Sequence, residues 1–178
     1  MPYPILDPTG ATTASQQKRQ PRARRRKDLH GATVGLLVNT KQNAAPFLDE
    51  IGRLLITQHG ARAAITKTKV NFAAPAPEEL VKEMAASCDV IITGIGDCGS
   101  CSASAVADGI VFEAAGLPAA AICRDAFTVT ADAMADLRGA SGYRYATTPH
   151  PVAVLTPDQV KERAAQVLDD VIALITQT

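Results

Sequence analysis

The sequence predicts an α/β protein of three layers, α/β/α, in which a doubly wound sheet of about five mainly parallel strands is covered by helices on both faces. Three observations carry that expectation. Strand-like and helix-like segments alternate through residues 32–177, the pattern of consecutive βα units. The third and fourth strand-like runs, DVIITGIG and PAAAIC, are apolar at successive positions rather than at every second one, as in strands buried on both faces. Gly and Pro punctuate the junctions where such units turn.

The elements follow in order. ATVGLLVNT (32–40) is β-rich and of strand length, and APFLDEIGRLLITQHG (45–60) is helical, with Phe47, Leu48, Ile51, Leu54 and Leu55 on one face and Gly60 as its stop. ARAAITKTK (61–69) is a second strand. EELVKEMAASC (78–88) follows Pro75 and Pro77, with Pro77 suited to a first helical turn and Glu78 and Glu79 matched to the helix dipole. DVIITGIG (89–96) is a third strand, apolar enough for burial on both faces. SASAVADGIVFEAAG (102–116) is a helix with Val106, Ile110 and Phe112 apolar, Gly116 at its C-cap and Pro118 beyond. PAAAIC (118–123) is a fourth strand, 128–138 a weaker helix, and YRYATTPHP (143–151) a fifth strand with a rigid exit. A final helix opens with Thr156 as N-cap and Pro157 in the first position. Right-handed crossovers favour a flavodoxin/Rossmann-like order such as 2-1-3-4-5.

The expected organisation is an extended, basic N-terminal arm over residues 1–30, in which Ile5 and Leu6 are the apolar docking points, and one domain over 31–178. The formal net charge of zero is a cancellation. KRQPRARRRK (18–27) holds seven Lys/Arg and no acid, whereas from Asp28 onward 17 acids face 11 Lys/Arg. No aromatic interleaves the basic run and the acidic body repels phosphate, so nucleic acid is not an expected partner. A solvated arm or a clamp on a partner subunit is. No apolar segment has the form of a signal peptide or the length of a membrane span. A cytoplasmic protein is expected, and its four cysteines, Cys88, Cys98, Cys101 and Cys123, are expected to be reduced.

The loop TGIGDCGSCSAS (93–104) admits four readings. Gly94-x-Gly96-x-x-Gly99 spells the dinucleotide fingerprint, with Asp125 as its distant acid, but it follows the third strand instead of the first and puts a cysteine in the pyrophosphate's path. A metal site draws two ligands from Cys98 and Cys101 and a third from His150, and no second pair supports it. A thioredoxin-like CxxC fits the strand-to-helix junction, but too many elements precede it. The fourth reading is a thiolate nucleophile at a helix start. Backbone N–H groups from Gly99 to Ser102 favour the anion, Asp97 opposes it, and Cys101 is placed to release an adduct as a disulfide. Cys88 and Cys123 read as packing residues.

GIGDCGSCSASAVADGIVFEAAGLPAAAIC (94–123), followed by PHP (149–151), resembles the UGSC family, named for selenocysteine-Gly-Ser-Cys, and more distantly the selenoprotein B subunits of glycine and proline reductases. The UGSC likeness extends upstream through ILDPTGA, GLLVNTKQNA and PAPEEL. The resemblance implies that Cys98 stands at the selenocysteine position with Cys101 as its partner. It also implies chemistry in which that atom takes up a carbon fragment. Two departures from the reductase pattern, cysteine in place of selenocysteine and no counterpart here of the reductase subunits' extra regions, fit attack on another electrophilic carbon equally well.

In a doubly wound fold ligands sit beyond the carboxyl ends of the strands. That filter adds Asn39, Lys41 and Asn43 after the first strand, with Lys41 a candidate for a substrate carboxylate or for the thiolate. Gly96, Gly99 and Ser100 are candidate oxyanion donors. Arg124 comes after the fourth strand, able to pair with Asp125, and His150 after the fifth as an acid or base. The expected function is a cysteine-dependent enzyme or enzyme subunit, an oxidoreductase or carbon–heteroatom lyase. Cys98 attacks a small carboxylate-bearing substrate, and Cys101 or water resolves the adduct. A redox, small-ligand or metal-binding module is the alternative. No resident cofactor is expected, an external thiol or protein electron donor is compatible, and the arm suggests a homodimer or a complex with a second subunit.

Overall fold

The computed structural model describes residues 22–177. The expected docking of Ile5 and Leu6, and Lys18 and Arg19 of the basic run, lie outside them. The chain runs β1 (Thr33–Val38), α1 (Ala44–His59), β2 (Ala63–Thr68), α2 (Glu78–Ser87), β3 (Val90–Gly96), α3 (Gly99–Ala114), β4 (Ala119–Arg124), a 3-10 turn (Asp125–Phe127), α4 (Thr128–Leu137), β5 (Ala146–Thr148) and α5 (Pro157–Ile175). The sheet order is β2-β1-β3-β4-β5 and every pairing is parallel. This is the expected fold class and order, with β3 as the central strand.

Side-chain alternation along each strand feeds two cores. Val34, Leu36 and Val38 of β1, Val90 and Ile92 of β3, and Ala120 and Ile122 of β4 pack with Phe47, Leu48, Ile51 and Leu55 of α1 and Val160, Val167 and Val171 of α5. On the opposite face Leu37 and Ile91 meet Val81 and Met84 of α2 and Phe112 of α3. Ala121 and Cys123 meet Val106 and Ile110 of α3 and Ala131 and Ala135 of α4. Each central strand therefore needs apolar residues on both sides, which is why its sequence shows no alternation.

Several boundaries differ from the sequence expectation: β1 and β2 are shorter, Pro77 is the N-cap of α2 and not in its first turn, and three further differences have a local reason. α3 begins at Gly99, not Ser102, because Cys98 itself caps it. Its C-cap is Ala115, and Gly116 follows with φ 88°. β5 is only Ala146–Thr148, because Tyr143 is turned inward, its hydroxyl donating to Ala119 O at 3.3 Å. α5 opens with a reciprocal capping box. The Gln159 amide donates to Thr156 Oγ1 at 3.4 Å, and the Thr156 amide donates to Gln159 Oε1 at 2.9 Å. Among the described residues the cis peptide bonds are His150–Pro151 and Gly94–Ile95.

The described part of the arm lies on its own domain. Arg26 pairs with Thr176 in a parallel bridge and its carbonyl accepts from the Gln177 amide at 2.7 Å. Arg26 also meets Asp89, 3.1 Å away. Buried Glu113 of α3 is the main anchor: Oε1 accepts from the Ala119 amide at 2.9 Å, and Oε2 from the Ala23 amide and Arg25 Nη1, each at 2.7 Å. One carboxylate thus joins α3, β4 and the arm. Removing it strands buried donors, so Glu113→Ala is expected to lower the unfolding free energy by about 2–3 kcal/mol. Glu113→Gln, which keeps a carbonyl oxygen, is expected to lose less. Urea denaturation with an unchanged slope checks both.

Candidate functional site

The site is built where β3 runs into α3. The end of β3 is drawn toward β1: Asn39 donates from its backbone amide to Gly94 O at 3.0 Å and from Nδ2 to Ile95 O at 2.7 Å. Its pairing with β4 shifts register between Thr93 and Gly96. Gly96 then passes so close to α3 that a Cβ there would lie 2.7 Å from Ser102 Cα. The Ser102 hydroxyl donates to Gly96 O at 3.0 Å and closes the junction. No side chain fits at position 96, so the glycine is required by the strand–helix junction itself.

Cys98 is the residue that follows. It is extended (φ −157°, ψ 174°) and N-caps α3, its sulfur accepting from the Cys101 amide at 3.4 Å. The Ser100 hydroxyl lies 3.5 Å from the same sulfur. The Gly99 and Ser100 amides, first in the helix, have no intrahelical acceptor by construction. Partial burial works against the Cys98 thiolate, but it is outweighed. The Cys101 thiol, the Ser100 hydroxyl, the Cys101 amide and the Lys41 charge together hold the Cys98 thiol below its ordinary value. Cys101 moves the opposite way, to about 12, because it is buried and shares its proton with the neighbouring sulfur. The pair is thus unequal, with Cys98 the partly exposed thiol that ionises more readily and Cys101 the buried thiol that ionises less readily.

Strand order sets out the other candidates in a row along the sheet edge. On the β1 side, Lys41 lies with Nζ 4.4 Å from the centre of the Phe72 ring. Asn39 is buried and spent on β3, while its Oδ1 accepts from the Lys41 amide at 3.3 Å. Asn43 is a scaffold residue too. Held at φ 65° as the N-cap of α1, it donates from Nδ2 to the carbonyls of Val152 (2.9 Å), Ala153 (3.3 Å) and Leu155 (3.0 Å). On the β4 side, Arg124 pairs with Asp97, not with Asp125. Its Nε lies 2.8 Å from Asp97 Oδ1, a charge contact without hydrogen-bond alignment, and it donates from Nη2 to Asp97 O. The Asp97 charge that opposes a thiolate is therefore compensated. Arg124 also lies over Phe127, 5.3 Å from the ring centre, and Phe127 meets the His150 ring edge-on at 5.9 Å. His150 is exposed and its amide donates to Asp125 Oδ1 at 3.2 Å.

The remaining cysteines sit in packing positions. Cys123 is buried on β4, its thiol pushed up to about 12 by burial, and it donates to Ser102 O at 3.7 Å. Cys88 caps α2, and burial raises it as well. Among the described residues no group of three His, Cys, Asp or Glu side chains converges as a metal site requires, and no helix is long and apolar enough to cross a membrane. Sequence reading missed Phe72 and a buried cluster of Lys69, Ser104 and Asp108; it reached Phe127 only as the end of the segment after the fourth strand, and Ser102 only for its backbone amide. Neither aromatic lies in a motif, and the cluster joins residues 35–39 positions apart.

The geometry defines a class: an open parallel α/β protein with a helix-capping cysteine at the carboxyl end of its central strand and a buried thiol one turn on. The chain belongs to the UGSC family, whose model matches residues 4–177. No curated protein matches it. Among solved structures, an ABC transporter permease from the Pseudomonas fluorescens group is similar at 15% identity and a TM-score of 0.35. That match covers 80% of this chain and 32% of the permease chain, about a third of its length. A likeness of that degree does not bear on fold or function.

The donors to Cys98 give a direct expectation. Ser100→Ala and Cys101→Ala each remove a hydrogen bond that favours the thiolate, so each raises the Cys98 pKa. For every half unit by which that pKa rises, alkylation by iodoacetamide at pH 7 should slow about threefold. The pH–rate profile of adduct formation, followed by mass spectrometry, checks the sign: both midpoints move to higher pH.

Proposed function

We propose that the protein is a cysteine-dependent enzyme, or enzyme subunit, of small-molecule metabolism, acting on a carboxylate-bearing substrate with an electrophilic carbon or sulfur. The observation that carries this reading is the Cys98 sulfur accepting from the Cys101 amide at a helix start, with Lys41 as its nearby cation. Helix-start amides and a nearby ammonium are what lower a thiol into the nucleophilic range.

The chemistry runs in two steps. The Cys98 thiolate attacks carbon, forming an S–C bond as the carbon–heteroatom bond breaks and the leaving group departs with the electron pair. Lys41 seats the carboxylate, the Gly99 and Ser100 amides face the developing negative charge, and His150 supplies a proton to the leaving group. Alkylation removes the charge on Cys98 that helps to hold Cys101 protonated. Cys101 then loses its proton and attacks the Cys98 sulfur. The S–C electron pair leaves with carbon, which takes up a proton, and a Cys98–Cys101 disulfide remains. The substrate carbon gains two electrons and the dithiol loses two. An external thiol or a protein electron donor restores the dithiol, which fits a reducing, cytoplasmic setting. Where the adduct is a thioester, water resolves it with no redox change. A second subunit that supplies substrate activation is compatible with this scheme.

A thiol–disulfide exchange module is the second reading, favoured by Cys101 directing its amide at the Cys98 sulfur. An electrophilic probe separates the two. Covalent catalysis predicts one added probe mass, at Cys98, and its loss in Cys98→Ser together with turnover of 2-halo acids or related electrophiles. Cys101→Ser should accumulate the substrate adduct that the parent protein clears. Equal labelling of all four cysteines would defeat the nucleophile reading. A disulfide formed with no detectable carbon adduct would leave the exchange reading standing.

A further inference from the structure

Lys69, at the end of β2, is 3% exposed and Asp108, on α3, is fully buried. Lys69 Nζ donates to Asp108 Oδ2, to Ser104 Oγ at 2.6 Å and to Ala74 O at 2.9 Å, which uses all three ammonium hydrogens. Asp108 Oδ1 accepts from the Ala76 amide at 2.6 Å, and the Ser104 hydroxyl donates to Ala74 O at 2.8 Å. A buried ion pair is weak evidence for stability, since well-packed apolar residues often do as well. Its consequence here is geometric. The Lys69 amide is tied to Val38 O at 3.0 Å, three residues before Lys41, while Ala74 and Ala76 are tied to α3 two to three turns after Cys98. Between these fixed ends the chain makes a short arch, closed by the Ala73 amide donating to Asn71 Oδ1 at 2.9 Å. Phe72 lies on that arch and is 37% exposed, a large apolar ring left at the surface with its face to the Lys41 ammonium.

We propose that Phe72 is a positioning residue for the thiol: fixed by the Lys69–Asp108–Ser104 anchor, its ring holds the Lys41 ammonium beside Cys98. The inference rests on the nucleophile reading of Cys98. A partly exposed lysine on a loop samples several rotamers, and an aromatic face within about 6 Å selects those in which the cation lies over the ring. The charged and titratable groups that the described elements bring to this end of the sheet are Lys41 after β1, Asp97 at the end of β3, Cys101 on α3, Arg124 and Asp125 after β4, and His150 after β5. Asp97 and Arg124 pair with each other, and Asp125 accepts from the His150 amide. Among the described residues Arg124 is paired with a carboxylate and Lys41 is not, so fixing Lys41 in place matters to the thiolate. Lys41 already contributes to the lowered Cys98 thiol.

The test is the pH–rate profile of iodoacetamide addition at Cys98, read by peptide mass on the full chain. Lys41→Met is expected to move the midpoint up. Phe72→Leu keeps apolar bulk but removes the π face, and its midpoint should rise by about 0.5 in pH, slowing labelling at pH 7 about threefold. Phe72→Tyr, which keeps the face, should retain the parent profile. A midpoint unchanged in Phe72→Leu while Lys41→Met shifts would overturn the positioning role and leave the nucleophile intact. No shift in Lys41→Met would overturn it as well. A parent protein in which Cys98 is not selectively labelled would defeat the nucleophile reading and this one with it.

Discussion

Everything at the site depends on the approach of β3 to the backbone of α3 at Gly96. With no room for a Cβ between Gly96 and Ser102 Cα, the strand can pass directly into the helix, and the next turn of chain puts Cys98 in the capping position. Ser102 closes the junction with a hydrogen bond to Gly96 O. Ser102 O in turn accepts from the buried Cys123 thiol on the adjacent strand. The small residues of α3 follow from the same constraint, because this helix is buried along most of its length between the sheet, α2 and α4. A larger residue at the junction would push the helix start outward and take the sulfur off its amide.

Around that junction the charges are arranged so that the thiolate sees little net opposition. Asp97, adjacent in sequence and acidic, would by itself disfavour a negative sulfur, but Arg124 from the next strand compensates it. Such a compensated pair leaves a dipole, not a charge, beside the sulfur, and its effect falls off faster with distance than that of an isolated ion. Lys41 then acts across the β1–β3 boundary with Asp97 largely silenced. The buried Lys69–Asp108 pair follows a different logic. Burial raises the Asp108 carboxyl while Lys69 and the Ala76 amide lower it, with burial prevailing. The hydrogen bonds of the pair tie the end of β2 and α3 to the backbone at Ala74 and Ala76, so its effect is to fix a loop.

Much of this was legible in the chain, for definable reasons. The fold and strand order follow from apolar strands alternating with helices, because burying both faces of a sheet and turning right-handedly leave few solutions. The prominence of Cys98 and Cys101 was legible because a CxxC at a strand–helix junction has a simple geometric consequence. Asn39 and Asn43 were located correctly at the strand edge, yet their amides are committed to backbone carbonyls, and nothing in the sequence distinguishes a scaffold asparagine from a ligand-binding one. Arg124 was read against its neighbour Asp125, whereas adjacent parallel strands bring it to Asp97, 27 positions away. Phe72 could not be singled out, since its importance depends on an anchor that only tertiary structure assembles.

The double use of the Cys98 sulfur, as helix cap and as candidate nucleophile, has a consequence for any covalent cycle. A thiolate is a good acceptor for the Cys101 amide, but a thioether sulfur is a poor one. If Cys98 takes up carbon, the cap weakens at the same moment as the negative charge next to Cys101 disappears. Two of the three effects that raise the Cys101 thiol, its hydrogen bond to Cys98 and the repulsion between the two sulfurs, originate in the Cys98 thiolate. Burial, the largest, remains. Adduct formation would therefore loosen the first turn of α3 while making its second thiol easier to ionise, and both changes bring Cys101 toward the bond it must break. A cap made of serine or aspartate would hold the helix equally well, but it would lack this coupling between capping and reaction.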